Sequence, residues 1–138
     1  MPALLRAARG VYGSAIRRAL AAEGCDDMPR NGAFVVGAIA RAGSPLSEII
    51  SYLGLSKQRA GQLVDTLVTR GYLEREFDTT DRRRMTVTLT ERGHLAAATS
   101  RAAVERIDAA LRERVGADAL SRARATLGNL VDHDDESA

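Results

Sequence analysis

Arg82, Arg83 and Arg84 stand consecutively between two stretches of alternating apolar residues. Three guanidinium groups at one tip repel one another unless a partner neutralises them, and the partners with that chemistry are phosphates or a narrow, electronegative minor groove. A charged tip that merely keeps a hairpin soluble is the bland alternative. A second set lies upstream, where Ser56 and Lys57 precede Gln58, Arg59, Gln62 and Thr66. Most exposed helix faces carry Glu and Lys. Amides, hydroxyls and a guanidinium are instead the groups that read base edges, although a polar solvent face also accounts for them.

Other chemistry has less to work with. Cys25 is the one cysteine, and His94 and His133 are the two histidines, far apart in sequence. A zinc site of Cys and His needs four ligands and a disulfide needs two cysteines, so no metal site and no cofactor is expected. Free cysteines are commonly buried, and Cys25 reads as a small loop or core residue. No paired carboxylates, no Ser/His/Asp set and no phosphate-binding glycine loop can be assembled, so no catalytic residues are assigned and the chain is not expected to be an enzyme.

The elements that must position the two basic and polar sets follow from periodicity. Leu4, Leu5, Ala8, Val11, Tyr12, Ala15, Ile16, Ala19 and Leu20 recur at helical spacing, predicting an amphipathic helix that closes near Gly24. A second, nearly all-apolar helix is predicted from about Gly32 to Arg41, buried for that reason. Ser44-Pro45 supplies an N-cap and a first-turn proline for a short helix reaching Tyr52 or Leu53, stopped by Gly54. Ser56 then caps a helix whose stripe is Ala60, Leu63, Val64, Leu67 and Val68, ended by Gly71. Two helices joined across a short Gly-containing turn are a helix-turn-helix, and Gln58, Gln62, Asp65 and Thr69 fall opposite the apolar stripe. Leu73, Arg75 and Phe77, then Met85, Val87 and Leu89, alternate as two strands with apolar faces in register, carrying Asp78 to Arg83 between them. A further helix with Leu95, Ala98, Ala102, Ile107, Leu111 and Val115 is separated by Gly116 from a last one with Leu120, Ala123, Leu127, Leu130 and Val131. Arg101/Glu105 and Asp108/Arg112 are i, i+4 pairs on the former.

At 138 residues, 45% hydrophobic and 28% charged, the chain reads as a single globular domain able to bury a core. Its net charge of +2 is uneven. Without Asp132, Asp134, Asp135 and Glu136 it carries 20 bases against 14 acids, and 19 of the bases are arginine. A basic body points to nucleic acid, while the acidic tail over 133–138 reads as a solvated, frayed end. The longest run free of polar side chains, Gly32 to Ala40, is far short of the roughly 20 residues a membrane helix needs, so no membrane partner is expected. Arg6 and Arg9 fall where a secretory signal needs its apolar stretch, and the expected location is cytoplasmic.

The segment LSKQRAGQLVDTLVTRGYLEREFDTTDRRRMTVTLTERG resembles the MarR (multiple antibiotic resistance regulator) family of winged-helix transcription factors. The resemblance rests on the capped helix, the Leu-x-x-x-Gly-Tyr-Leu-x-Arg exit into the first strand, Asp81 and Arg83 at the tip, and Leu89-Thr90 followed by Gly93. It implies a mainly α fold with a small β-hairpin wing: a winged helix-turn-helix over 30–92, flanked by dimerisation helices over 1–24 and 93–132. It implies a homodimer on a palindromic double-stranded DNA operator, most often a repressor released by a small aromatic acid. Ser56, Lys57, Gln58, Arg59, Gln62 and Thr66 would form the recognition helix. Arg83 would enter the minor groove, oriented by Asp81, with Arg82 and Arg84 as phosphate contacts or structural pairs. Tyr12, Arg17 and Phe34 would line an effector crevice, where an ordinary core pair and a solvated arginine are the alternative. Gly61 departs from the bulkier residue usual in this helix, and Cys25 lies after the first helix, whereas redox-sensing members place a cysteine near its start. A winged helix that meets an acidic protein partner, without DNA, is the other reading of the basic tip.

Overall fold

Helix ends fall where the sequence supplies caps and stops. The computed structural model describes residues 1–42, 46–77, 80 and 85–136, with the backbone alone at 42, 46–48, 85 and 133–136. Its elements run α1 (Pro2–Ala22), α2 (Gly32–Ala42), α3 (Leu46–Leu53), α4 (Lys57–Thr69), β1 (Leu73–Phe77), β2 (Met85–Leu89), α5 (Glu91–Val115) and α6 (Ala117–Glu136). The described chain is thus mostly helical with one two-stranded antiparallel hairpin, the fold class the sequence predicts. Ser44 and Pro45, the predicted opening of α3, lie outside the described residues. α6 continues through Glu136, into the acidic stretch read from sequence as a frayed end.

The chain divides into two compact units, Met1–Ala103 and Val104–Ala138. In the first, Leu20, Val35, Val36, Ile49, Leu67, Tyr72 and Leu73 form the core, joined by Cys25 and by Ala96 and Ala97 of α5. Each fully buried Leu or Val contributes about 1.5–3 kcal/mol by leaving water, so this cluster is what fixes α4 against its neighbours. α2 packs on α3 and on β2, and α4 on β1. The near-complete burial expected of α2 holds for Val35 and Val36 but not for Phe34 or Ala40, which are exposed. In the second unit Leu120 is buried, and Arg124 of α6 donates to Asp108 of α5 at 2.6 Å.

The hairpin register pairs Leu73 with Leu89, Arg75 with Val87 and Phe77 with Met85. The predicted register is therefore present, but the apolar face of β1 is not. Only Leu73 is buried, and Phe77 is 69% exposed. A two-stranded hairpin has a core beneath its base and none beneath its outer end, so alternation there does not report burial.

Candidate nucleic-acid interface

Ser56 starts α4 in the way its position suggests. Its backbone is extended (φ −63°, ψ 156°), and its hydroxyl accepts the Arg59 N–H at 3.3 Å, satisfying one of the unpaired first-turn donors. The apolar side of the helix is buried at Ala60, Val64 and Leu67. That burial fixes the rotation of the helix and leaves Lys57, Gln58, Arg59 and Gln62 exposed together on and beside the opposite face. Thr66 is half-buried, and its hydroxyl donates back to the Gln62 carbonyl at 2.8 Å. Asp65, on the same outward face, is committed to an ion pair with Arg75 of β1. It neutralises that arginine and ties helix to hairpin. The spacing within α4 gave no sign of this, because the partner lies on the next element.

The exit from α4 is held by a dense joint. Gly71 adopts φ +78° and its N–H donates to the Val68 carbonyl at 3.0 Å, while the Tyr72 N–H reaches back to Leu67 at 2.9 Å, the paired bonds of a Schellman ending. Thr90, between β2 and α5, closes the joint. Its hydroxyl donates to the Gly71 carbonyl at 2.5 Å and accepts the Gly93 N–H at 3.0 Å, so one side chain caps α5 and anchors the end of α4.

Beside this joint sits a cluster that sequence reasoning missed. Asp27, in the loop before α2, accepts the Tyr72 hydroxyl at 2.5 Å and the Arg92 guanidinium at 2.9 and 3.3 Å. Arg92 also donates to the carbonyls of Gly24 at 3.0 Å and Arg70 at 2.5 Å, and its guanidinium lies 4.3 Å from the centre of the Tyr72 ring. The Tyr72 hydroxyl and then Arg92 hold the Asp27 carboxyl below its ordinary value, outweighing the opposing effect of burial. Burial, followed by the bond to Asp27, pushes the Tyr72 hydroxyl far above its ordinary range, so it remains a donor at every physiological pH. The cluster links the loop after α1, the end of α4 and the start of α5.

Asp81, Arg82, Arg83 and Arg84 lie outside the described residues. Two clefts lie within the first unit. The three residues expected to hold an effector line one of them, about 920 Å³ in volume: Tyr12 and Arg17 from α1 and Phe34 from α2, with Cys25 buried behind. Arg17 donates to Ser14 at 3.2 Å. The other cleft, about 830 Å³, shares Arg9, Arg30, Asn31 and Phe34 with the first and reaches Arg59 and Gln62 of α4. Among the described residues, no group of three or more His, Cys, Asp or Glu side chains could hold a metal ion, and no helix is long and apolar enough to cross a membrane.

Residues 26–84 match the model of the MarR family. No curated protein matches the chain. Among solved structures, CouR from Rhodococcus jostii RHA1 bound to p-coumaroyl-CoA is 26% identical, with 93% of this chain and 89% of that one covered and a TM-score of 0.71. Streptococcus pneumoniae FabT in complex with DNA is 16% identical, covering 99% and 96% of the two chains with a TM-score of 0.78. A MarR family transcriptional regulator from Silicibacter pomeroyi DSS is 23% identical, covering 98% and 89% with a TM-score of 0.75. Residues 26–84 are thus similar to the MarR family, and the described chain has the fold of these solved proteins.

Proposed function

We propose that the chain is a dimeric, sequence-specific regulator of transcription that binds double-stranded DNA, with α4 as its recognition helix and the hairpin as its wing. The observation that carries this reading is the outward face of α4. Lys57, Gln58, Arg59 and Gln62 are exposed together at the N-terminal half of a helix whose opposite side is locked into the core. That half of a recognition helix is the part that meets base edges in the major groove. The likeness in fold to a protein solved in complex with DNA supports the same assignment. Arg82, Arg83 and Arg84 then serve phosphate and minor groove, with Asp81 orienting Arg83. The body of the molecule works in the cytoplasm, where its operator is, and residues 30–92 are its DNA-binding part.

The regulator acts as a repressor that a small aromatic anion releases, and the crevice lined by Tyr12, Arg17 and Phe34 is its seat. A ring against the two aromatic side chains and a carboxylate on Arg17 is the chemistry that crevice offers. CouR, solved with the thioester of an aromatic acid, supports an aromatic ligand. A ligand releases DNA only by its differential affinity for the two conformations, and a tenfold release needs about 1.4 kcal/mol of coupling.

Titration of labelled duplex from the protein's own upstream region, at several salt concentrations, tests the DNA reading. A protected operator with a linear fall of log K against log salt is expected. Failure to bind any duplex, with capture of an acidic protein by the wing, would replace it. Salicylate-like acids added to the complex test the release.

A further inference from the structure

The two faces of β1 differ in chemistry. Side chains alternate across a strand, so Leu73, Arg75 and Phe77 share one face and Glu74 and Glu76 the other. Leu73 is buried in the core, and Arg75 reaches the Asp65 carboxylate on the outward face of α4. These two contacts fix the direction of the first face, which looks toward α4. Phe77 is the next side chain along it, about 7 Å beyond Arg75 at the rise of a strand. Its ring is 69% exposed. Both carboxylates of β1 stand exposed on the far face, opposite Thr88 and Thr86 of β2, while Asp65, which touches the near face, is neutralised by Arg75. A polyanion therefore meets less repulsion on the Phe77 side of the hairpin than on the other.

A single exposed ring is ordinary on a protein surface, and position is what singles this one out. A side chain of this size buries at most about 250 Å², far below the roughly 800 Å² per partner of a stable protein interface. Residues 78–84, which join Phe77 to its register partner Met85, carry three arginines against two aspartates, so a second copy would bring like charge against like. A nucleic-acid backbone matches this pairing of ring and cations, because the C–H faces of its sugars alternate with phosphates. We propose that Phe77 packs against deoxyribose of the duplex that α4 reads. The contact rests on the DNA-binding reading above and adds to it a residue that neither reads bases nor carries charge. It has a thermodynamic signature of its own. A guanidinium on a phosphate releases counterions, so its loss flattens the dependence of log K on log salt, whereas a ring on a sugar releases none and its loss leaves the slope unchanged. An amide on a base edge matters on one sequence, while every sequence presents the same sugars.

The test compares wild type, Phe77→Ala and Phe77→Leu over a salt series, on duplex from the protein's own upstream region and on random duplex. Phe77→Ala is expected to bind both about tenfold more weakly, with salt lines parallel to those of wild type and an unchanged melting temperature. Phe77→Leu should keep most of the affinity. The chain has no tryptophan, so Phe77→Trp installs a single fluorescent reporter, whose emission should move to shorter wavelength when duplex is added. Unchanged affinity in Phe77→Ala would overturn the contact and leave the DNA-binding reading standing. Loss with a flattened slope would make Phe77 a support for the arginines, and loss confined to one duplex would make it a base contact; either result overturns packing on the sugar. An emission shift on concentrating the Phe77→Trp protein without duplex would give the ring to a second copy instead. Wild-type protein that binds no duplex would remove the DNA-binding reading and this contact with it.

Discussion

Gln58 and Arg83 carry different kinds of information if α4 and the wing work as proposed. An amide that reads a base edge contributes to one sequence, so Gln58→Ala should cost about 1–3 kcal/mol on the operator and far less on random duplex. Arg83→Ala should weaken both and flatten the salt dependence by about one unit per lost ionic contact in each subunit. Equal losses on both duplexes for both variants, measured by anisotropy, would remove this division of labour. Asp27 belongs to stability rather than to reading. Its carboxyl is held below the ordinary 3.8, so its contribution is complete above that value and disappears as pH falls through the lowered one. Asp27→Asn should therefore destabilise the protein at neutral pH by about 1 kcal/mol, less than a buried charged hydrogen bond because Asp27 and Arg92 are 42% and 35% exposed. The gap between the two proteins in thermal melts should narrow below pH 4, and a gap unchanged to pH 2.5 would show that the carboxylate charge is not what matters. Gln58 was legible in the sequence because its position follows from one helix's period. Asp27 was not, since its partners lie 45 and 65 residues away and no local pattern spans that distance.

Two helix glycines, Gly93 and Gly61, make opposite demands. A side chain on Gly93, at the start of α5, would collide with the Tyr72 carbonyl oxygen, a backbone atom that cannot swing aside. Gly61, in the interior of α4, has nothing within 4 Å of where its Cβ would lie. Gly93→Ala should thus destabilise the protein by about 1–3 kcal/mol through overpacking at the joint between hairpin and helix. Gly61→Ala should stabilise it by about 0.5–1 kcal/mol by helix propensity alone. Denaturant midpoints read both effects. If Gly61→Ala also lost operator affinity despite its greater stability, the open space over Gly61 would be where a DNA backbone approaches. The helices themselves were readable from capping residues and the 3.6 period, as α4 between Ser56 and Gly71 illustrates. The outer half of β1 was not, because alternation signals a buried face only where something lies beneath it, and among the described residues Phe77 stays exposed.

At the scale of the whole molecule, the exposed apolar side chains of the terminal helices need an explanation that a single chain does not offer. Leu127, Leu130 and Val131 form an i, i+3, i+4 edge on α6 at 40–56% exposure, and α1 separately exposes Leu4 and Val11. Scattered surface leucines are ordinary, but an apolar edge along a helix in so small a protein is the surface a second copy would cover. Because Leu130 is mostly in solvent, Leu130→Arg should leave the fold of one chain intact while shifting the dimer proposed here to monomer, which sedimentation at micromolar concentration can read. The same substitution should weaken operator binding by about 2 kcal/mol or more, since a two-fold pair of recognition helices engages two half-sites at once and a monomer only one. Half-site centres should be about one helical turn, roughly 10 bp, apart. Inserting 5 bp between them would place one half-site on the opposite face of the duplex and should abolish the gain from pairing, whereas inserting 10 bp restores the face but stretches the spacing. Wild-type protein that sediments as a monomer and protects an isolated half-site at stoichiometric amounts would sink the dimeric reading, and an operator indifferent to the 5 bp insertion would sink the two-fold geometry even if a dimer forms.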